Sequence, residues 1–347
     1  MRYPAILLLV VLLATSGCRR KLPEIGLLSD PDAYMTFRVA WYFTHEMKIK
    51  VNQFQSLDGP GATSAARLIE EYAYARAHGY HPNVDVYWSG DPVYCETLSQ
   101  RGLTIAYRPE SLIPDAYRDP ADHWTGFAAR ARVLLVPSSM RLADRPASIR
   151  VFADPAWAGR GAMTDPLRGT SRSLFAALGV LWGDQGLADF YAAVRKNGTR
   201  ITRSDDESAD LLVNRKVDVA LVDTDVALIR IRKNEPVDII YPDQDHGEAG
   251  VMVIPNAVTI MRGCKDFAAA SRFVDFLASP DGERRAVSFS PSQVPLQLGV
   301  AAISSRIWRV ESLHVMRIDY AAAARKLPEM EKILGAASNG QVDSKSQ

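Results

Sequence analysis

Short apolar segments alternate with helical segments through most of this chain, from about residue 23 to residue 333. The strand-like segments are brief and rich in β-branched residues, and they cover residues 25–28, 48–53, 84–88, 133–136, 161–164, 217–222, 237–241, 251–254 and 258–261. The helical segments carry apolar residues at three- and four-residue spacing, and they cover residues 61–78, 171–182, 184–197, 204–214 and 226–231. Because strands that alternate with helices usually pair in parallel, the pattern predicts an α/β fold with mostly parallel sheets flanked by helices.

Composition limits the classes of partner. The chain has 347 residues, of which 47% are hydrophobic and 23% charged, so it is long enough for two globular domains. Lysine and arginine number 41 and aspartate and glutamate 40, which leaves a net charge of +1. A balance this close to zero gives no basis for expecting a nucleic-acid partner. Specificity must therefore come from a local site.

The N-terminal segment has the features of an export signal. Arg2 precedes an apolar run over residues 5–14, which is shorter than the roughly 20 residues that a membrane-spanning helix needs. The run leads through small residues to Cys18, an order that resembles the bacterial lipobox, in which the cysteine is lipidated and becomes the mature N-terminus. We therefore expect a signal peptide over residues 1–17, a lipidated tether over 18–22, and a periplasmic or cell-surface protein anchored to the membrane by lipid. A plain signal peptide with an incidental cysteine is the alternative.

Cysteine and histidine are too few and too scattered to indicate a structural zinc site. Cys95 and Cys264 are compatible with a disulfide in an oxidising compartment or with two separate thiols, and the sequence leaves both open. The chain also lacks the short motifs of nucleotide-binding, zinc-protease and serine-hydrolase sites. We therefore expect a binding protein without a resident cofactor, rather than an enzyme.

Polar residues cluster where four of the predicted strands end. In α/β sheets ligands bind beyond the carboxyl ends of the strands, so these loops are the candidate binding site. Trp88 alternates with Tyr87 on its strand, which directs one ring to the core and the other toward the cleft. The predicted ligand-binding residues are Ser29, Asp30, Asp32, Trp88, Ser89, Asp91, Gly169, Thr170, Ser171, Asp223, Thr224 and Asp225.

Two of these loops have a definite chemistry. Gly169, Thr170 and Ser171 open a predicted helix, whose free N–H groups and positive end attract an anion; the alternative is that Thr170 only caps the helix. The segment from Asp223 to Asp225 offers two carboxylates around a hydroxyl. Such a group suits a hard cation or the amino group of a solute, and it is equally compatible with a simple helix cap.

Four motifs in order resemble the ferric-iron-type solute-binding proteins of ABC transporters. They are NVDVYWS at 83–89, WAGRGAMTDP at 157–166 followed by GTS at 169–171, YPDQ at 241–244 leading to IPN at 254–256, and DFLASP at 275–280. The resemblance implies the two-lobed type II periplasmic binding protein fold, with one lobe from residues 23–131 and 257–300, a second from 137–255, and C-terminal helices with a polar tail over 301–347. It also implies closure of the lobes on a ligand by hinge bending, and a monomer that delivers its cargo to a membrane permease.

The same resemblance bears on the cargo. Many relatives bind Fe(III) with a synergistic anion through adjacent tyrosines, and this chain has Asp223-Thr224-Asp225 at that place. The resemblance therefore implies ferric iron as cargo, with Asp91, Asp223 and Asp225 as metal ligands and a phenolate from Tyr94, Tyr107, Tyr241 or Tyr320. The alternative cargo is a small anionic organic solute, a phosphonate or an organophosphate, with its acid on the 169–171 loop and its cationic part near the aspartates.

Overall fold

A computed structural model describes residues 22–55 and 62–339 of the chain. The predicted signal peptide and Cys18 lie outside the described residues. The described strands are β1 Glu24–Ser29, β2 Lys50–Gln55, β3 Val86–Ser89, β4 Thr104–Ile105, β5 Thr125–Pro137, β6 Gly161–Thr164, β7 Arg200–Thr202, β8 Val219–Asp223, β9 Val237–Ile240 and β10 Val253–Met261. The described helices are α1 Ala33–Met47, α2 Ala62–His78, α3 Pro92–Gln100, α4 Gly169–Lys196, α5 Asp205–Val213, α6 Thr224–Arg232, α7 Phe267–Ala278, α8 Pro280–Phe289 and α9 Tyr320–Asn339.

The strands form one hydrogen-bonded path in the order β2-β1-β3-β10-β5-β8-β6-β7, with β4 beside β10 and β9 beside β5. At one end β1, β2 and β3 are parallel, and at the other end β6, β7 and β8 are parallel. The long strands β5 and β10 lie between these groups and run antiparallel to their neighbours. The α/β prediction is confirmed, and the parallel strands are confined to the two ends of the path.

Strand β5 joins the two parallel groups. Its residues up to Ala131 pair with β10, and its residues from Arg132 onward pair with β8 and β9. The β10 pairing is irregular between Pro255 and Asn256, where the register shifts by a bulge. The sequence predicted only the second half of β5, because arginines interrupt the apolar pattern of the first half. The boundaries of the two predicted lobes remain a prediction.

Helices pack on both faces of the sheet. Alternation along β1 sends Ile25 and Leu27 into one apolar cluster and Leu28 into the other. The first cluster includes α1, α7 and α8, and the second includes α3, α4 and α9. Helix α4 is broken at Gly183, whose φ of 72° and ψ of 173° are outside the helical region. This break separates the two helices that the sequence predicted over 171–182 and 184–197.

The structure also bears on the cysteines and on membrane-spanning helices. Cys95 is buried, Cys264 is partly buried, and the structure shows both as free thiols. In the part of the chain that the structure describes, no helix has the length and apolarity needed to cross a bilayer.

Candidate binding site

Two arginines stand two residues apart on β5, at the point where the strand changes partners. Residues at this spacing point to the same side of a strand, and both Arg130 and Arg132 contact the carboxylate of Asp223. Arg132 is also directly opposite Asp223 in the antiparallel pairing of β5 with β8. Only 1% of the Arg132 side chain and 11% of the Arg130 side chain are exposed. The sequence analysis did not identify either arginine as a site residue.

Arg132 is the centre of a buried polar network. Its Nη1 donates to Asp205 Oδ2 at 2.5 Å and to Asp223 Oδ1 at 2.9 Å. The same nitrogen lies 3.1 Å from Thr170 Oγ1, and Nη2 donates to Ser171 Oγ at 3.1 Å. The guanidinium therefore links the end of β8 to the starts of α4 and α5. A charged donor of this kind fixes its acceptors more firmly than neutral groups do.

Asp205 is the second carboxylate of this network, with 13% of its side chain exposed. It accepts from the Thr164 hydroxyl at 2.5 Å and from the backbone N–H of Asp223 at 2.9 Å. Burial raises the pKa of Asp205, Arg132 opposes that rise, and Asp223 adds to it. Burial alone would lower the pKa of Arg132, but Asp205 and Asp223 outweigh it and the net shift is upward. Ser204 caps α5, since its Oγ accepts from the N–H of Glu207 at 3.2 Å.

Arg130 faces the cavity and the loop after β3. Its Nη2 donates to the carbonyl of Gly90 at 2.7 Å, and its Nη1 lies 3.3 Å from Asp223 Oδ2 and 3.6 Å from Asp225 Oδ2. A Cβ on Gly90 would stand 3.1 Å from Arg130 Nη2, so the missing side chain leaves room for this approach. Burial lowers the pKa of Arg130, yet the surrounding carboxylates raise it overall. The guanidinium therefore remains charged.

Two carboxylates near Arg130 have raised pKa values. Asp91 is 1% exposed, caps α3 through a 3.0 Å bond from the N–H of Val93, and has its pKa raised by burial to about 6. Burial also raises the pKa of Asp225 to about 6, with Arg130 opposing the shift and Asp223 adding to it. About a third of the Asp225 side chain is exposed, so this carboxylate is accessible to a ligand.

The start of α4 opens into a cavity of about 680 Å³, a volume within the range of small-molecule sites. The helix begins at Gly169, whose φ of +50° favours glycine. The residue at the N-cap position is Arg168, and its side chain makes no cap bond to the first N–H groups of the helix. The Thr170 hydroxyl donates to Asp223 at 3.0 Å instead, which corrects the alternative that it only caps the helix. Uncapped N–H groups at a helix start attract an anion. The wall of the cavity also includes Arg130, Thr164, Arg168, Arg203, Asp205, Asp223 and Asp225.

The predicted residues from the 169–171 and 223–225 loops therefore meet in one place. Gly169, Thr170, Asp223 and Asp225 line the cavity. The Ser171 hydroxyl accepts from Arg132 rather than lining the cavity. Thr224 Oγ1 accepts from the N–H of Ala131 at 3.3 Å. Asp223 stands at the N-cap position of α6, but its side chain makes no cap bond because the arginines and Thr170 occupy its oxygens. Asp223 therefore does not act as a side-chain cap of α6.

The predicted residues from the first two loops have internal partners. Asp30 accepts from the N–H of Gly90 at 2.6 Å and from the Tyr87 hydroxyl at 2.5 Å. Asp32 caps α1, accepting from the N–H of Tyr34 at 2.8 Å. Ser29 Oγ donates to Gln55 at 3.0 Å. These contacts fix the conformation of the loop after β1. None of the three predicted residues lines the cavity.

Trp88 is a correction to the sequence analysis. Both Tyr87 and Trp88 are fully buried, on opposite faces of the sheet, because helices cover both sides of β3. The indole packs 5.0 Å from the Phe127 ring, centroid to centroid, so it belongs to the core. Ser89 is also fully buried, and its hydroxyl oxygen accepts from the N–H of Asp91 at 3.2 Å.

The three predicted metal ligands all lie near Arg130, and their role as metal ligands stays a prediction. Among residues 22–55 and 62–339, no group of three or more histidine, cysteine, aspartate or glutamate side chains is arranged to hold a metal ion. Asp91, Asp223 and Asp225 all interact with Arg130, whose positive charge occupies the region where a cation would sit. Both oxygens of Asp223 already accept from guanidinium groups or Thr170.

All four candidate tyrosines have raised pKa values. Tyr320 donates to the Val253 carbonyl, and burial raises its pKa well above the ordinary value. Tyr107 donates to Asp275, and burial together with that carboxylate raises its pKa to about 12. Burial raises the pKa of Tyr241 to about 12, and burial also raises that of Tyr94.

Comparison with known proteins identifies the class. A family model described as bacterial extracellular solute-binding protein matches residues 44–289, and the chain belongs to this family. Among curated proteins the chain is 24% identical to "Iron uptake protein A2" of Synechocystis over 233 residues, which are 64% of this chain and 66% of that protein. The chain thus covers just under two thirds of that relative.

Solved structures confirm the predicted two-lobed fold class. Iron-bound HitA from Pseudomonas aeruginosa superposes with a TM-score of 0.76 and 23% identity, covering 90% of this chain and 99% of that one. AfuA from Actinobacillus pleuropneumoniae, with fructose-6-phosphate bound, superposes with a TM-score of 0.70 and 16% identity over 90% and 97% of the two chains. The chain is therefore a bacterial extracellular solute-binding protein by family, and its fold is that of the solved ferric-binding proteins.

Proposed function

We propose that the protein captures a small solute bearing an anionic group and delivers it to an ABC importer in the membrane. The observation that carries the proposal is the uncapped start of α4, which opens beside Arg130 into a cavity of about 680 Å³. The acid of the solute would accept from the N–H groups at Gly169 and Thr170 and from the Arg130 guanidinium. Asp225, which is partly exposed, would receive a cationic part of the same solute.

A phosphonate or organophosphate that also carries an amino group fits this arrangement. The acid and the base of such a solute would meet Arg130 and Asp225, which are themselves 3.6 Å apart. The solved structure of AfuA with fructose-6-phosphate supports the idea that this fold accepts phosphate-bearing solutes. Export, lipidation at Cys18, a monomeric state and recognition by a permease belong to the same proposal.

Ferric iron with a synergistic anion is the second candidate, favoured by the names of the similar proteins. The anion would occupy the same place at the start of α4. Iron would then depend on oxygen ligands from the anion, because Asp223 is already bonded to Arg130 and Arg132. Asp225 and Asp91 are the remaining carboxylates.

Native mass spectrometry with elemental analysis of the purified protein separates the two candidates. An organic mass without metal supports the first, and iron with an anion in stoichiometric amount supports the second. Titration calorimetry with 2-aminoethylphosphonate, inorganic phosphate and ferric citrate then measures each affinity. Arg130→Met should abolish binding of every anion, with Arg195→Met on the far end of α4 as the matched control. Unchanged affinity in Arg130→Met would refute the proposed site, and chemical conversion of a bound solute would indicate an enzyme.

A further inference from the structure

Helix α1 carries a second apolar face that points away from the core. Its buried face presents Met35, Val39 and Phe43, which are fully buried. Its outward face presents Tyr34, Phe37 and Trp41 at three- and four-residue spacing, with 60%, 59% and 48% of these residues exposed. Large aromatic side chains exposed together on a helix are unusual in a monomeric protein and indicate an interaction surface.

The outward face continues onto the edge of the sheet. Strand β2 is the last strand of the path, so one side of it has no strand partner within the described residues. A groove of about 500 Å³ lies between α1 and β2, with Phe37, Trp41 and Val51 in its wall. Phe54 on β2 is 46% exposed. We call the outward face of α1 together with β2 the α1 surface.

Cations frame these aromatic rings. From the N-cap of α1 to the end of β2 the cations are Arg38, Lys48 and Lys50 and the carboxylates are Asp32 and Glu46. Lys50 also lies 3.8 Å from Glu24 on β1. The Arg38 guanidinium lies 6.0 Å from the Tyr34 ring and 5.8 Å from the Trp41 ring. Aromatic residues at the level of lipid headgroups, flanked by lysine and arginine, are typical of helices that lie in a bilayer interface.

The chain enters the fold beside this surface. The backbone N–H of Lys50 donates to the carbonyl of Pro23 at 2.8 Å, so the segment before β1 emerges at the start of β2. Cys18 precedes Leu22 by four residues, which reach at most about 14 Å when fully extended. A lipid on Cys18 would therefore hold Leu22 within about that distance of the bilayer. The sequence between them contains Arg19, Arg20 and Lys21, three further positive charges.

We propose that the α1 surface docks on an anionic lipid bilayer, with the aromatic rings at the headgroup level and the lysines against the phosphates. Three observations support this proposal: the exposed aromatic face of α1, the Arg38 guanidinium beside its rings, and the entry of the chain next to β2. None of the α1-surface residues lines the proposed ligand cavity. The docking therefore does not depend on the identity of the cargo.

Sedimentation with lipid vesicles tests the proposal. The protein used begins at Arg19, so it lacks the predicted lipid but keeps every described residue. It should bind vesicles of phosphatidylglycerol mixed with phosphatidylcholine, bind pure phosphatidylcholine more weakly, and dissociate from the anionic vesicles as salt rises. Lys48→Glu should weaken binding at least roughly fivefold, because one cation near an anionic surface contributes about this much. Phe37→Ser with Trp41→Ser should abolish binding to both kinds of vesicle.

Matched controls lie on other surfaces. Lys196→Glu at the end of α4 and Leu142→Ser, which removes a side chain on a residue that is 80% exposed, should leave vesicle binding unchanged. Circular dichroism checks that the α1 variants remain folded, since none of them removes a buried side chain. Binding that is absent, or equally lost in the control variants, would overturn the proposal. So would self-association through this face, detected by ultracentrifugation and abolished by the same aromatic substitutions.

Discussion

Replacement of Arg132 by methionine tests the network at the centre of the site. Methionine keeps much of the aliphatic volume but leaves Asp205 and Asp223 buried without the guanidinium that now lies 2.5 Å and 2.9 Å from them. Removing one partner of a buried ion pair costs about 3–5 kcal/mol of unfolding free energy, because the remaining charge has lost both water and its partner. At about 2–4 °C per kcal/mol for a domain of this size, the melting temperature should fall by about 6–20 °C.

Thermal unfolding followed by circular dichroism measures the effect, and pH supplies an internal check. Arg132 is the main factor that opposes the upward pKa shift of Asp205, so its removal raises that pKa further. An acid whose folded pKa exceeds its unfolded pKa destabilises the fold as pH rises through that interval. The loss of stability relative to the parent protein should therefore be largest near pH 7 and become smaller toward pH 5.

A triple variant also removes the two carboxylate charges that lose their arginine partner. Arg132→Met combined with Asp205→Asn and Asp223→Asn should recover much of the lost stability, because neutral amides cost less to bury than unpaired carboxylates. A single variant that melts within about 2 °C of the parent protein at pH 7 would refute the reasoning, as would a deficit that grows at low pH.

Three further predictions concern stability and use the same unfolding assay. Gly183→Ala should lower stability by about 1–3 kcal/mol, since φ of 72° with ψ of 173° is open almost only to glycine, and Gly335→Ala on α9, where an added Cβ meets nothing within 4 Å, is the helical control. Glu283→Ala should cost about 3 kcal/mol or more, because the carboxylate accepts from three buried N–H groups at 2.8–2.9 Å; Glu283→Gln should cost less. Asp91 and Asp225, whose pKa values rise from 3.8 to about 6, make the ligand-free fold lose stability as pH increases from 4 to 7, and replacing both by asparagine should flatten that slope.

Much of the architecture could be predicted because its signals are local. The helix ends at Gly79 and Gly198 follow from the left-handed conformation that glycine adopts easily, and the structure has φ of 69° and 72° there. The Ser204 cap of α5 depends on residues within one turn. These features need no information about the rest of the chain.

The arginines of the site could not be predicted in this way. Arginine is rarely buried unless it is paired, and the acids that pair with Arg132 lie 73 and 91 positions away in the chain. One signal was available, since Arg130 and Arg132 interrupt a strand that is otherwise apolar. Alternation along that strand would have placed both on one side, but only the fold shows that Asp223 meets them there.

The pairing of Arg130 with Asp225 separates a simple anion from a solute that also carries a cation. Asp91 and Asp225 have pKa values of about 6, so at pH 7 they oppose a bound anion and at pH 5 they are largely neutral. Sulfate, whose charge is constant over this range, should therefore bind more tightly at pH 5 than at pH 7. A solute with an ammonium group on Asp225 gains from the ionised carboxylate, so 2-aminoethanesulfonate, whose acid group also keeps a constant charge over this range, should show a smaller gain or a loss. Calorimetry at pH 5 and pH 7 measures the affinity of each ligand. In Asp225→Asn the affinities of the two ligands should change with pH to the same extent. Equal pH dependence of the two ligands in the parent protein would show that Asp225 does not contact the solute.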